Sequence, residues 1–156
     1  MIASMNHISF TVSDLQRSIA FYRDGLGLKL LGTMDRDEAF SSKVTGVPGA
    51  TLKIAFLGTT NCNVELIEYL TPQGRKADTA TCNVGSAHVA FNVENFQEMI
   101  DRVLAAGGRM IGQPTLIPSG RHKHRQAVYL EDPDNNTIEF ISVETAKLPE
   151  VRTDCG

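Results

Sequence analysis

Apolar and polar residues alternate from Met5 to Val12 and again from Ser86 to Val93, the two-residue period of a strand with one buried face. The two stretches superpose at a constant offset of 81 residues: Met5-Asn6-His7-Ile8-Ser9-Phe10-Thr11-Val12 lies over Ser86-Ala87-His88-Val89-Ala90-Phe91-Asn92-Val93. Behind each, the apolar spacing changes to that of a helix. Leu15, Ile19, Tyr22 and Leu26 form one stripe, and Phe96, Ile100 and Val103 the other. Ser13-x-x-Gln16 has the spacing of a capping box and Asn95-x-x-Glu98 opens the second helix, while Gly25, Gly27 and Gly107-Gly108 supply the stops. Three further strands are predicted after each helix. They lie at about 29–36, 51–57 and 63–70 in the first copy, and at about 109–113, 126–131 and 137–143 in the second, with the run Asp132 to Asn136 as the last turn.

One βαβββ unit has therefore been used twice, and the fold class expected is α+β. The modules span about 5–70 and 86–143 of a single domain over 1–144. Loops at 72–85 and 114–125 break the symmetry. The polar tail at 145–156, which contains Pro149 and no periodicity, is expected to be mobile or wrapped on a partner.

Composition narrows the functional classes. A formal charge of -3 removes a nucleic-acid surface, which requires uncompensated Lys and Arg against phosphate. No apolar run approaches the ~18 residues of a membrane span, and no leader pattern stands at the N-terminus, so a cytoplasmic protein is expected. Cys62, Cys82 and Cys155 lack the CxxC spacing of a thiolate site and read as ordinary thiols.

The repeat also duplicates ionisable residues. His7 and His88 hold the same place in the first strand, and Glu65 in Val64-Glu65-Leu66-Ile67 echoes Glu139 in Ile138-Glu139-Phe140-Ile141. Strand alternation points Glu65 with Ile67 and Glu139 with Ile141. A carboxylate on a largely apolar face is costly unless paired or bound to a cation. Any one of these residues is more simply a structural histidine or an edge glutamate. A duplicated pair of each is harder to explain by packing. If the halves meet about a pseudo-twofold, His7, Glu65, His88 and Glu139 converge as an N2O2 set suited to Zn, Ni, Co, Mn or Fe(II).

The pattern His7 with Ile-x-Phe-x-Val, Asp14-Leu15-x-x-Ser18-Ile19-x-Phe21-Tyr22, Leu26-Gly27, Val64-Glu65-Leu66, Ala87-His88-Val89-Ala90-Phe91 and Asp132-Pro133-Asp134-x-x-x-Ile138-Glu139 resembles the vicinal oxygen chelate superfamily. That superfamily includes glyoxalase I, methylmalonyl-CoA epimerase, extradiol dioxygenases and fosfomycin-resistance proteins. The resemblance implies paired βαβββ modules forming an open-barrel sheet around a central metal site, one divalent cation per site, a homodimer, and a small substrate that chelates through adjacent oxygens. Four protein ligands are nearest to glyoxalase I and the epimerase, which implies a lyase or isomerase. In it Glu65 or Glu139 moves a proton at the carbon next to the chelating oxygens. The alternatives are an Fe(II) ring-cleaving dioxygenase and a non-catalytic small-molecule or antibiotic binder.

Two departures from the pattern limit the substrate. Thr11 stands where glyoxalase I commonly carries an arginine for glutathione, and Ala87 where the epimerase has a second histidine, so neither glutathione nor CoA contacts are carried over. Arg121, Lys123 and Arg125 fall where superfamily members often place a lid and are candidates to bind substrate, with His122 or His124 as proton shuttles. A solvated loop is the simpler reading of that segment. Glu68, Tyr69 and Tyr129 are weaker candidates, because Glu68 alternates away from Glu65 and strand aromatics usually pack in the core.

Overall fold

The computed structural model describes residues 1–144, so the expectation about the tail lies outside the described residues. The first half contains β1 (His7–Thr11), α1 (Leu15–Ala20) continued by a π-helical turn at Phe21–Gly25, β2 (Lys29–Arg36), α2 (Glu38–Thr45), β3 (Thr51–Gly58) and β4 (Asn63–Thr71). The second contains β5 (His88–Val93), α3 (Phe96–Ala105), β6 (Arg109–Met110), β7 (Thr115–Leu116), β8 (Gln126–Glu131) and β9 (Thr137–Ser142). They form two mixed sheets, ordered β1-β4-β3-β2 and β5-β9-β8-β6, with β7 also on β8. In each sheet the first strand runs parallel to the last and the other pairs are antiparallel. This is the α+β class expected, with two sheets and no closed barrel.

Apolar burial joins the halves. One cluster takes Leu15, Ile19, Phe21, Tyr22, Val64 and Leu66 from the first module together with Phe96, Ile100, Val103, Leu130, Ile138 and Phe140 from the second. The seam is close enough to require small residues. A Cβ at Gly25 would stand 2.8 Å from Ala106 Cβ across the seam, and one at Gly108 would stand 2.9 Å from Phe21 Cε2 across it and 2.7 Å from the Glu131 carbonyl oxygen and Val103 Cγ1 of its own module. Because a backbone carbonyl cannot rotate aside, Gly108→Ala is expected to destabilise the fold by about 1–3 kcal/mol. In urea unfolding this appears as a lower midpoint at unchanged slope; an unchanged midpoint refutes it.

Polar contacts fix the same seam. The buried Tyr22 hydroxyl donates to Asp132 Oδ2 at 3.1 Å. Burial, followed by the charge of Asp132, holds this phenol well above its ordinary pKa. Asp134 accepts from the Ser13 backbone N–H at 3.0 Å, the Ser13 hydroxyl at 2.6 Å and Arg17 at 2.7 Å, clasping the last turn of the second module to the start of α1.

Three local expectations need correction. Ser13 does not cap α1: its hydroxyl is taken by Asp134, and Asp14 accepts the Arg17 N–H at 3.0 Å instead. Asn95 starts α3 in the left-handed region at φ 50° without a side-chain cap bond. The strand expected at 109–113 stops at Met110, since Ile111 and Gly112 both donate to the single Tyr129 carbonyl at 3.1 Å. Pro114 has no N–H to restore the ladder, and pairing resumes only at β7. Helix α2 is an addition that the repeat pattern does not anticipate. It is capped by Asp37 on the Phe40 N–H and ended by Gly46 at φ 72°.

Candidate metal centre

His7 and Glu65 are neighbours because of strand register. β1 and β4 run parallel with Ser9 opposite Glu65, so His7, Ser9 and Thr11 share a face with Asn63, Glu65 and Ile67. The alternate residues Ile8, Phe10, Val64 and Leu66 pack into or against the core. On the outer face His7 Nε2 comes 3.2 Å from Glu65 Oε2. Phe56, opposite Glu65 on β3, meets the His7 ring edge-on with centroids 5.7 Å apart. Glu65 is 8% exposed, whereas the His7 side chain is 34% exposed.

The second sheet repeats the arrangement. Ala90 is opposite Glu139 in the parallel pair, and His88 Nε2 lies 3.3 Å from Glu139 Oε2. The aromatic opposite Glu139 is Tyr129, whose ring centroid is 4.9 Å from that of His88 and whose hydroxyl oxygen is 3.4 Å from His88 Nε2. Burial, then the charge of Glu139, raises the Tyr129 pKa, so its hydroxyl stays protonated at neutral pH. Tyr129 ranked below the four main residues in the sequence. A stronger signal was available, since an aromatic stands nine residues before Glu65 and ten before Glu139.

Ligand atoms about 2.1 Å from one cation and roughly 90–110° apart lie about 3.0–3.4 Å from each other. Each His–Glu pair thus has the span of one edge of a coordination shell, although a single such contact is also an ordinary hydrogen bond. The structure forms two pairs rather than one cluster: among the described residues no three His, Cys, Asp or Glu side chains gather to hold a cation. The four do not gather among the described residues of one chain; the pseudo-twofold leaves open whether one chain or two completes the set. The cause is the seam, which packs the helix-bearing faces of both modules on each other and leaves the His–Glu faces turned outward. Both histidines ride on edge strands, β1 and β5.

A cavity of about 340 Å3 adjoins the second pair, lined by Glu139, Tyr129, Ala127, Val128, Thr81 and the interrupted edge at Ile111–Gln113. Arg121, Lys123 and Arg125 stay outside this lining, in the turn between β7 and β8. There Arg125 lies 3.5 Å from His122 Nδ1, and His124 adopts φ 68°. Glu68 has a structural role, accepting the Leu15 N–H at 3.0 Å. Among the described residues no helix is long and apolar enough to cross a membrane.

Comparison with known proteins gives this geometry a context. The chain is 27% identical to a 2-epi-5-epi-valiolone epimerase from Actinomyces sp over 97% of its length and 85% of that protein. It is 30% identical to the lactoylglutathione lyase of Salmonella typhimurium, covering 90% of this chain and 93% of that enzyme. A crystal structure of a glyoxalase family protein from Bacillus cereus superposes with a TM-score of 0.76 at 24% identity, covering 91% of this chain and 95% of the other. Residues 4–140 match the family described as Glyoxalase/Bleomycin resistance protein/Dioxygenase superfamily, and with the two βαβββ sheets and their repeated His–Glu pairs this places the chain in that superfamily.

Proposed function

We propose that the protein is a divalent-metal-dependent isomerase or lyase whose site is completed between two copies. His7 and Glu65 of one copy face His88 and Glu139 of the other. The observation that carries this reading is the repeated His–Glu pair, at 3.2 and 3.3 Å, the two pairs not gathering into one cluster among the described residues of the chain. Relatives named as a lyase and an epimerase, matched over nine-tenths or more of the chain, support proton-shift chemistry at carbon over oxygen insertion.

His7, Glu65, His88 and Glu139 would hold the divalent cation, which would supply Lewis-acid polarisation to a substrate bearing adjacent oxygens. The protein contributes the remainder. Two carboxylates and two imidazoles give a formally neutral set with a +2 ion. Tyr129 and Phe56 flank the two histidines, and a glutamate beside the reacting carbon accepts and returns the proton. Edge strands β1 and β5 offer unpaired backbone groups that a second copy can cover.

Elemental analysis combined with sedimentation at micromolar concentration tests this reading. The expected result is a dimer carrying about one divalent cation per chain. A monomer, or a protein that rejects Zn, Ni, Co and Mn, overturns it. Bound iron with activity that vanishes without oxygen replaces it with the dioxygenase reading.

A further inference from the structure

The duplicated site is not perfectly duplicated. Phe56 and Tyr129 hold equivalent places, each opposite the glutamate of its sheet and each against the histidine, and they differ by one hydroxyl. The surroundings differ with it. In the first sheet β2 is bulged between Leu30 and Gly32 but regains the ladder at once and pairs with β3 as far as Arg36. In the second the edge leaves the ladder between Met110 and Thr115, and the departure opens the 340 Å3 cavity in front of Tyr129 and Glu139.

The lining residues with polar side chains are Thr81, Gln113, Tyr129 and Glu139, and among the described residues no lysine or arginine joins them. With the cation's charge already balanced by the two carboxylates, this wall adds no countercharge for an anionic substrate, whereas a hydroxyl or carbonyl finds neutral donors and acceptors. Tyr129 Oη makes a long 3.4 Å contact to His88 Nε2, and with that nitrogen's lone pair given to a cation the hydroxyl proton would be available to a ligand.

We propose that Tyr129, with Gln113 of the same lining, is a specificity-determining hydrogen-bonding wall for an uncharged hydroxyl- or carbonyl-bearing substrate. This rests on the reading that His88 and Glu139 hold the cation, and it goes further by assigning the substrate class and the residues that select it. A site built to hydrogen-bond a substrate oxygen discriminates through the group left unpaired when either partner is missing.

The test uses the Zn-loaded protein with 1,3-dihydroxyacetone as the uncharged probe and glycolate as the anionic one. Binding is followed by saturation-transfer NMR and metal content by elemental analysis. Tyr129→Phe is expected to keep its zinc, to lose about tenfold in affinity for dihydroxyacetone and to leave glycolate unchanged. Gln113→Ala should move in the same direction. Unchanged dihydroxyacetone affinity in both variants overturns the inference. Loss of zinc from Tyr129→Phe also overturns it, because the hydroxyl would then serve His88 rather than a ligand. If the wild-type protein takes up no metal, the proposed function fails separately. The wall is then judged on the metal-free protein: saturation transfer to dihydroxyacetone that falls in Tyr129→Phe supports it, and no transfer in the wild type overturns it.

Discussion

Glu139→Gln is expected to retain most of the bound cation and lose turnover by a factor on the order of a hundred or more, the usual scale of general-base catalysis. The amide keeps an oxygen in the place of the carboxylate but cannot accept a proton. Glu139 borders the cavity, so a substrate carbon held there comes within reach of its carboxylate. Glu65 is 8% exposed and lies outside that lining, so Glu65→Gln should show the smaller loss. Metal content and solvent-deuterium exchange into the carbon-bound hydrogens of 1,3-dihydroxyacetone, measured for both variants, decide the matter. Full exchange in both eliminates glutamate-mediated proton transfer.

His88→Ala should lower affinity for a divalent cation by more than about a hundredfold. Outer-shell substitutions alone typically cost tenfold to a hundredfold, and this one removes a ligand. It also strips Glu139 of the imidazole 3.3 Å away and leaves the carboxylate facing Tyr129. Competition with a chelating dye measures the loss. Metal affinity unchanged in His7→Ala and Glu139→Ala alike would refute the four-residue set.

Much of this was legible in the chain. The 81-residue offset identifies the repeat, and alternation places Glu65 with Ile67 and Glu139 with Ile141 on one face of each sheet, as the register confirms. The misses have specific physical causes. Ser13 has the spacing of a cap, yet Asp134, 121 residues away in sequence, takes its hydroxyl, and no local pattern reveals a partner so distant. The break at 111–114 depends on two N–H groups sharing one carbonyl, a backbone arrangement that the apolar pattern of Met110 and Ile111 does not encode. Which faces the modules press together is likewise a tertiary matter. Both faces of each sheet carry apolar residues, and it is the shared core of Val64, Leu66, Ile138 and Phe140 with the helices that takes the face opposite to the His–Glu pairs.

The parallel ladder that joins His7 to Glu65 spans 58 positions of chain, and that joining His88 to Glu139 spans 51, yet each depends on a register only a few residues long. Descent can therefore lengthen or rewrite the intervening loops while both pairs keep their spacing. A single-codon deletion between Asn63 and Glu65 has a different outcome: Glu65 exchanges faces with its apolar neighbours, and a carboxylate enters the core. Related sequences should accordingly accumulate insertions and deletions at 59–62, 72–87 and 111–125, with unbroken frame across the two short stretches that end in glutamate.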